Sequence, residues 1–448
     1  MVKPKQIKEK SESKEAKQPD FESRVLVKDA FNTEAGKEII LCGWVHEVRA
    51  LGKIRFLILR DITGRIQCVG FKPDTPEDVF EQVGKLTRES VILLKGIVKD
   101  SKQAPGEKEI GIKRIELLNP AGEMLPIDVS DFSKTELPKR LDYRFLDLHR
   151  ERTQAIFKIQ NEIAQAFRVF FYNEKFMEMQ PPYIISSSSE GGTELFPVQY
   201  FEKKAFLAQS PQLYKQMLAC SVEKAFTLGP AWRAEKHNTT RHINEIRMVD
   251  VEAAFYDQTR IMKLLEESVR FVVENVLEKC KKELELLGVK NLKIPNGVYL
   301  HYEDAIKKVG GKIGEDFTPE QEKKLCEMYP GDVVFTHSWP TSIKPFYIMP
   351  TNEDSKAKES QGFDALYGGV EISSGGQRIH LPELLTERIK AKGLNPKSFE
   401  SYIDSFKFGA PPHSGWAIGF ERITQILCGL DNVKEGTMFP RDRDRLVP

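Results

Sequence analysis

No two of the six cysteines stand at CxxC spacing: Cys42, Cys68, Cys220, Cys280, Cys326 and Cys428 are scattered through 448 residues. That argues against a structural zinc knuckle or a disulfide framework and points to a reducing compartment. No apolar run reaches the ~18 residues that a membrane helix needs. The opening stretch, MVKPKQIKEKSESKEAKQPD, has none of the apolar core of a secretory signal. A soluble, cytoplasmic protein with no membrane partner is the expectation. No GxxxxGKS or GxxxxGKT segment occurs, which removes P-loop chemistry. An excess of charge is missing too, since 67 Lys and Arg face 66 Asp and Glu. Net charge therefore advertises no nucleic-acid partner, and any such partner must be held by a local surface.

What is present exceeds one core, because the chain passes the ~250–300 residues at which a single core stops growing. Residues 1–20 contain six Lys, four acidic residues and no aromatic residue. They cannot bury enough surface to offset ordering entropy and read as a disordered Lys-rich tail. Residues 21–121 hold the β-like runs EIILCGWVHEVR, IRFLILRD, RIQCVGF, VILLKGIVKD and EIGIKRIELLN, with the helically spaced TPEDVFEQVGKLT after the third. Five strands with a helix in that place match an OB barrel, whose strand face and loops bind single-stranded nucleic acid; a barrel used for protein contacts has the same pattern.

Residues 122–150, polar and Pro-containing, read as a hinge. In 151–448, TQAIFKIQNEIAQAFRVFFYNEKF has the spacing of a long amphipathic helix, and the strands and helices after it lack a regular βαβ alternation. The expected fold class is α+β: a five-stranded OB β-barrel, then a domain with an antiparallel sheet flanked by helices. Residues 288–345 break the pattern and are expected to form an inserted small helical lobe.

Two stretches carry candidate chemistry. AWRAEKHNTTRHINEIRMVDVE places Arg233 and Glu235 at the end of one strand and Arg241 and His242 at the start of a returning one. Guanidinium forks on such a hairpin can clamp a polyphosphate with direction as well as charge, although a charged hairpin is also a common solvated face. Near the end, GWAIGFERI puts Arg422 after a glycine-spaced strand and at the start of an apolar helix.

These stretches resemble motifs 2 and 3 of the class II aminoacyl-tRNA synthetases, and FMEMQPPYI, with Pro182, resembles motif 1. SSSEGGTELF, FLAQSPQLYKQ, VEISSGGQRIH, FGAPPHSG and FPRDRDRL are similar to the aspartyl branch, over about residues 22–448. Asparaginyl members have Thr-Gly-Gln-Leu-Tyr-Asn where this chain has Ser210-Pro211-Gln212-Leu213-Tyr214-Lys215. The resemblance implies a homodimer that activates L-aspartate with ATP and Mg²⁺ and transfers it to tRNA. An aspartate carboxylate cannot be desolvated without fixed cations. By motif position Lys215 and Arg378 would bind it, Gln212 and Asp250 would hold the geometry, and Glu190 would meet the α-ammonium group. Arg233 would neutralise the α-phosphate, His242 would assist at the phosphates, and Arg422 would bind the γ-phosphate and stack on adenine. Glu235, Arg241 and Gly419 would complete the ATP site, and Glu371 with Ser374 would hold Mg²⁺. No protein nucleophile is required, since positioning and electrostatics suffice.

The pattern departs from the family in two places. Motif 1 has Lys175 where relatives have glycine, and motif 2 has Ile246 where many present an aromatic face to adenine, which implies weaker ATP binding unless Arg247 compensates. In the barrel, Phe56, Arg49 and Gln67 align with the residues that read anticodon bases, although Phe56 also reads as a core residue. His46 and Pro105 stand where relatives restricted to tRNA(Asp) have Trp and Lys, which implies loading of both tRNA(Asp) and tRNA(Asn). The alternative reading of the Lys-rich tail is a weak collector of tRNA. Rival readings are an asparaginyl enzyme, an ammonia-dependent asparagine synthetase, and a tRNA-binding module without catalysis.

Overall fold

The computed structural model describes residues 21–448 apart from 123, 131 and 187–194. The tail of residues 1–20 and Glu190 thus lie outside the described residues. The chain divides into two compact units, Met1–Pro126 and Ile127–Pro448.

In the first unit, strands β1 (Glu38–Leu51), β2 (Ile54–Asp61), β3 (Gly64–Phe71), β4 (Val91–Asp100) and β5 (Lys108–Asn119) close a barrel in the order β1-β2-β3-β5-β4. A helix, α1 (Glu77–Gly84), follows β3 and packs Val79 and Val83 against the barrel core. Period-two alternation decides what enters that core: Leu57 and Leu59 of β2 are fully buried, and Phe56 and Ile58 are not. The core reading of Phe56 is therefore set aside. A β-bulge between Val45 and Glu47 leaves His46 without a strand partner, the usual way a strand re-aims one side chain.

The second unit is built on an eight-stranded sheet. Its strands are β6 (Met177–Glu178), β7 (Lys224–Trp232), β8 (Glu245–Ala254), β9 (Gly297–His301), β10 (Val333–His337), β11 (Gly362–Tyr367), β12 (Val370–Gln377) and β13 (His413–Gly419), in the order β9-β10-β11-β12-β13-β8-β7-β6. The interior pairs are antiparallel, as expected, and the two edge pairs, β9/β10 and β7/β6, are parallel. Helices α2 (Glu151–Asn173) and α4 (Gln258–Lys279) cover one face, burying Ile159, Ile163, Phe167 and Phe171 of α2 with Leu265, Val269, Val272 and Val276 of α4. A shorter helix, α3 (Gln212–Val222), contributes Lys215 and Gln216 as buried polar residues.

Two segments differ in detail from the sequence reading. Within 288–345, helices α5 (Tyr302–Lys308) and α6 (Pro319–Glu327) do form, but β9 and β10 from the same stretch extend the sheet edge instead of leaving a purely helical lobe. The run Val333-Val334-Phe335 is wholly buried, and a fully buried strand shows no alternation to recognise. Within 122–150 the chain forms helices at Leu137–Asp142 and Arg144–Asp147. Arg144 is only 1% exposed, bonding Asp147 and the carbonyls of Glu435, Thr437 and Met438. Among the described residues no helix is long and apolar enough to cross a membrane.

The departure at Lys175 has a conformational consequence. After α2, Lys175 N–H bonds Tyr172 O (3.1 Å), Phe176 N–H bonds Phe171 O (2.9 Å), and the Phe171 and Phe176 rings meet at 5.2 Å. This is a Schellman ending, which needs a left-handed residue, and Lys175 adopts φ 65. Left-handed backbone costs a non-glycine residue about 1–2 kcal/mol, partly offset by the higher chain entropy of glycine. Lys175→Gly is therefore expected to raise unfolding stability by about 0.5–1 kcal/mol, read as a shifted urea midpoint.

Candidate active site

Alternation along β8 sorts its residues between two environments. Val249, Val251 and Ala253 join the core under α2 and α4, so Met248, Asp250 and Glu252 face the other way. Met248 and Asp250 line a pocket there, and Glu252 is fully buried beside it. Strand β13 repeats the arrangement, with Trp416 and Ile418 in the core and Ala417 and Gly419 along the pocket. Gln212, Lys215, Arg233, Glu235, Arg241, His242, Asp250, Glu371, Ser374, Arg378, Gly419 and Arg422, widely spaced in sequence, all line this one pocket.

One end is a buried charge cluster. Lys215 Nζ lies 3.1 Å from Asp250 Oδ1, 3.1 Å from the Trp416 carbonyl and 3.6 Å from Glu252 Oε2. Arg378 reaches Glu252 through Nε at 2.9 Å and Nη2 at 3.3 Å. Both cations thus converge on Glu252, which the sequence reading passed over although it follows Asp250 by two on the same strand face. Gly415 is part of this construction, because a Cβ there would collide with the Glu252 carboxylate and the Val251 carbonyl. Gln212, expected to hold the geometry of this network, donates to Gln216 at 2.7 Å.

The other end holds the hairpin cations. Asn244 accepts from Arg233 N–H (2.9 Å) and donates to the carbonyls of Arg233 (2.7 Å) and Glu235 (2.9 Å), which pins the backbone that carries the guanidinium. His242 pairs with Thr239 Oγ1 at 2.7 Å and stands 3.6 Å from Glu235. Arg422 Nη1 donates to the Glu371 carbonyl at 2.6 Å. Ile246 also lines the pocket, while the Arg247 side chain bonds Glu245 at 3.2 Å. Ile246 thus puts an apolar side chain on the pocket wall, and the Arg247 guanidinium is engaged with Glu245.

The carboxylates here titrate unusually. Burial pushes the Glu421 carboxyl up to about 7, even though both its oxygens accept from the Arg247 backbone N–H at 3.0 Å. Burial and then the nearby Glu371 charge push Glu322 of α6 up to about 7. Burial, followed by the negative charge of Asp364, raises the Glu371 carboxyl. Asp364 itself is clasped by Lys344 Nζ at 2.7 and 2.6 Å, and that ammonium stands 3.8 Å over the Trp339 ring. Lys344 and Glu421 line the pocket too and were not legible as site residues, since each depends on an approach between distant segments.

A metal can be tested against this donor set. A β-bulge in β12 pairs Ala365 with Ser373 and Leu366 with Glu371, so the alternation slips by one residue. Glu371 and Ser374, three apart, consequently both line the pocket. A half-buried carboxyl group, once ionised, and a hydroxyl are hard oxygen donors of the kind Mg²⁺ takes. No group of three or more His, Cys, Asp or Glu able to hold a metal occurs among the described residues, so any such ion would also rely on substrate phosphates.

On the barrel unit, Arg49 and Phe56 are register partners across β1 and β2, and Arg49 holds Glu47 at 2.7 and 2.8 Å. Gln67 donates to Glu109 at 3.0 Å from the paired strand β5. Pro105 opens a turn, Pro105–Glu107, between β4 and β5. Burial, then the guanidinium groups of Arg65, Arg60 and Arg88, lower the His46 pKa to about 4. The unfolded chain takes up this proton near the ordinary ~6.5 and the folded barrel only near 4. Its contribution to stability is complete above ~6.5 and is lost as pH falls toward 4, which hydrogen exchange of the β1 amides across that window should report.

The comparisons agree with this geometry. Residues 136–443 match the family model described as tRNA synthetases class II (D, K and N), and residues 39–118 match the OB-fold nucleic acid binding domain. An aspartate–tRNA(Asp/Asn) ligase from Methanothermobacter thermautotrophicus is 45% identical over 421 residues, covering 92% of this chain and 95% of the relative. A protein of the same name from Archaeoglobus fulgidus is 45% identical over 95% of this chain and its own full length. Among solved structures, asparaginyl-tRNA synthetase from Pyrococcus horikoshii complexed with asparaginyl-adenylate superposes with a TM-score of 0.90 at 33% identity, covering 95% of this chain and 99% of that one. Aspartyl-tRNA synthetase from Entamoeba histolytica does so at 0.83 and 31%, covering 95% and 92%. With a strand-lined pocket of cations in the unit that follows an OB barrel in sequence, and a family match that spans most of the chain, this protein belongs to the class II tRNA synthetases of the D, K and N group.

Proposed function

We propose that the protein is an aspartate–tRNA ligase that activates L-aspartate with ATP and loads it onto tRNA(Asp) and tRNA(Asn). The observation that carries the amino-acid part is the convergence of buried Lys215 and Arg378 at one end of the pocket. An ammonium and a guanidinium carry more N–H donors than Asp250, Glu252 and the Trp416 carbonyl consume, and the remainder suits a substrate carboxylate. An asparagine side chain would set its own NH₂ donor against these cations, which is the discrimination required. Pyrophosphate exchange is expected with aspartate and not with asparagine; the opposite result would make this the asparaginyl enzyme.

Arg233, held by its pinned backbone, meets the α-phosphate where charge builds during attack by the aspartate carboxylate. Arg241, His242 and Arg422 take the outer phosphates, with Glu235 and Gly419 lining the nucleotide site, while Ile246 gives adenine an apolar contact without a stacking face. Glu371 and Ser374 would hold Mg²⁺, which when bound offsets phosphate charge. Val169, Tyr172 and Met177, exposed at the end of α2 and on edge strand β6, form an apolar margin suited to a second copy in a homodimer.

His46, in its bulge, and Pro105, in its turn, support the dual tRNA reading, as do relatives named for both tRNAs. Aspartylation of the two transcripts should differ by less than about a thousandfold, and a larger preference for tRNA(Asp) would refute it. Phe56, outside the barrel core, offers a π-face to an unpaired base. Phe56→Ala is expected to weaken tRNA binding by about 1–3 kcal/mol and to leave tRNA-independent exchange unchanged.

A further inference from the structure

Behind the pocket runs a line of buried hydrogen bonds that none of these roles uses. His413, fully buried at the start of β13, stacks on Phe406 with ring centroids 5.8 Å apart. Its Nδ1 lies 2.9 Å from the Pro411 carbonyl, which can only accept, so Nδ1 carries a proton. Burial lowers the pKa of this ring, which keeps it neutral, and a neutral ring protonated at Nδ1 has a bare Nε2. Gln216 Nε2, 3.0 Å from that atom, must therefore donate. The Gln216 Oε1 is thereby turned the other way, where it accepts from Tyr402 Oη at 2.8 Å and from Gln212 Nε2 at 2.7 Å. One proton position at Pro411 thus dictates the orientation of two amides in succession.

Gln212 is the end of this line, and it reaches the pocket. The bond to Gln216 takes one of its two N–H donors and fixes which way the amide faces, so the carbonyl oxygen, an acceptor, is turned away from Gln216. Of the groups on an acidic amino acid, both carboxylates accept and only the α-ammonium donates. We infer that His413, Gln216 and Tyr402 form a positioning relay that holds the Gln212 carbonyl oxygen toward the α-ammonium group of the bound amino acid. This rests on the aspartate reading of the pocket. The relay touches no substrate atom; it acts by denying Gln212 the flipped orientation, in which an NH₂ group would oppose the ammonium.

The test compares two ligands of the full-length protein: L-aspartate, by its KM in pyrophosphate exchange, and succinate, which lacks the ammonium, by its inhibition constant. Gln216→Met is expected to raise the KM for aspartate by on the order of tenfold or more, the scale of one lost hydrogen bond to a charged group. Succinate inhibition and the KM for ATP should stay within about twofold. Gln216→Glu keeps the acceptor for Gln212 and, as the neutral acid, a donor for His413, so it should restore the wild-type ratio. If Gln216→Met does not fold, His413→Leu supplies the same comparison. Combining Gln216→Met with Gln212→Leu should cost no more than Gln212→Leu alone, since the relay works only through that amide. Equal weakening of aspartate and succinate, an unchanged aspartate KM, or additive losses would each overturn the relay. Absence of aspartate-dependent exchange in the wild-type protein would instead overturn the proposed function.

Discussion

Arg233→Ala is expected to lower aspartate-dependent pyrophosphate exchange by at least ~10²–10³-fold, the scale for removing one preorganised group from a developing charge. On the proposed function the attacking group is the substrate carboxylate, so no protein nucleophile is needed to share the work. Binding in the right geometry and stabilising charge at the α-phosphate are then the whole of catalysis. The fold should survive, since the Arg233 backbone is held by Asn244 and not through the guanidinium. A thermal midpoint unchanged beside lost exchange is the expected pair of results. Arg233→Lys should recover only part of the activity, because an ammonium restores charge without the planar fork. Exchange persisting within tenfold of wild type would remove Arg233 from the chemistry.

The parts of this protein that were legible in its sequence are those governed by local pattern. Five short β-like runs announced the barrel, and Asp250 was marked by its position in a motif-like stretch. Cations in motif-like stretches, Arg233, Arg378 and Arg422 among them, could be collected because their neighbours in sequence marked them. What stayed hidden depends on tertiary approach. Glu252 is an ordinary strand glutamate until Lys215 from α3 and Arg378 from beyond β12 close on it. The Lys344–Asp364 pair joins a loop to β11 across twenty residues, with no periodicity to signal it. Strand β10 was obscured by burial, which erases the two-residue period. His413, beside a pair of prolines, carries no sequence signal for its bond to Gln216, 197 residues away.

Glu252→Ala should be the most destabilising single change near the site. It leaves Arg378, 2% exposed, and Lys215, 1% exposed, with one buried carboxylate, Asp250, between them. Breaking a buried pair by removing one partner costs about 3–5 kcal/mol, because the remaining charge stays desolvated without compensation. The denaturant midpoint should fall with little change in slope. The same uncompensated charge makes a specific demand on ligands. A molecule whose side-chain carboxylate enters the pocket supplies the missing anion, so saturating aspartate should raise the thermal midpoint of the Glu252→Ala protein by more than it raises that of the wild type. Asparagine, of nearly the same shape but without that charge, should give no such excess. Equal protection by both amino acids would mean that the pocket reads shape alone, and that the two cations serve the fold and not the choice of substrate.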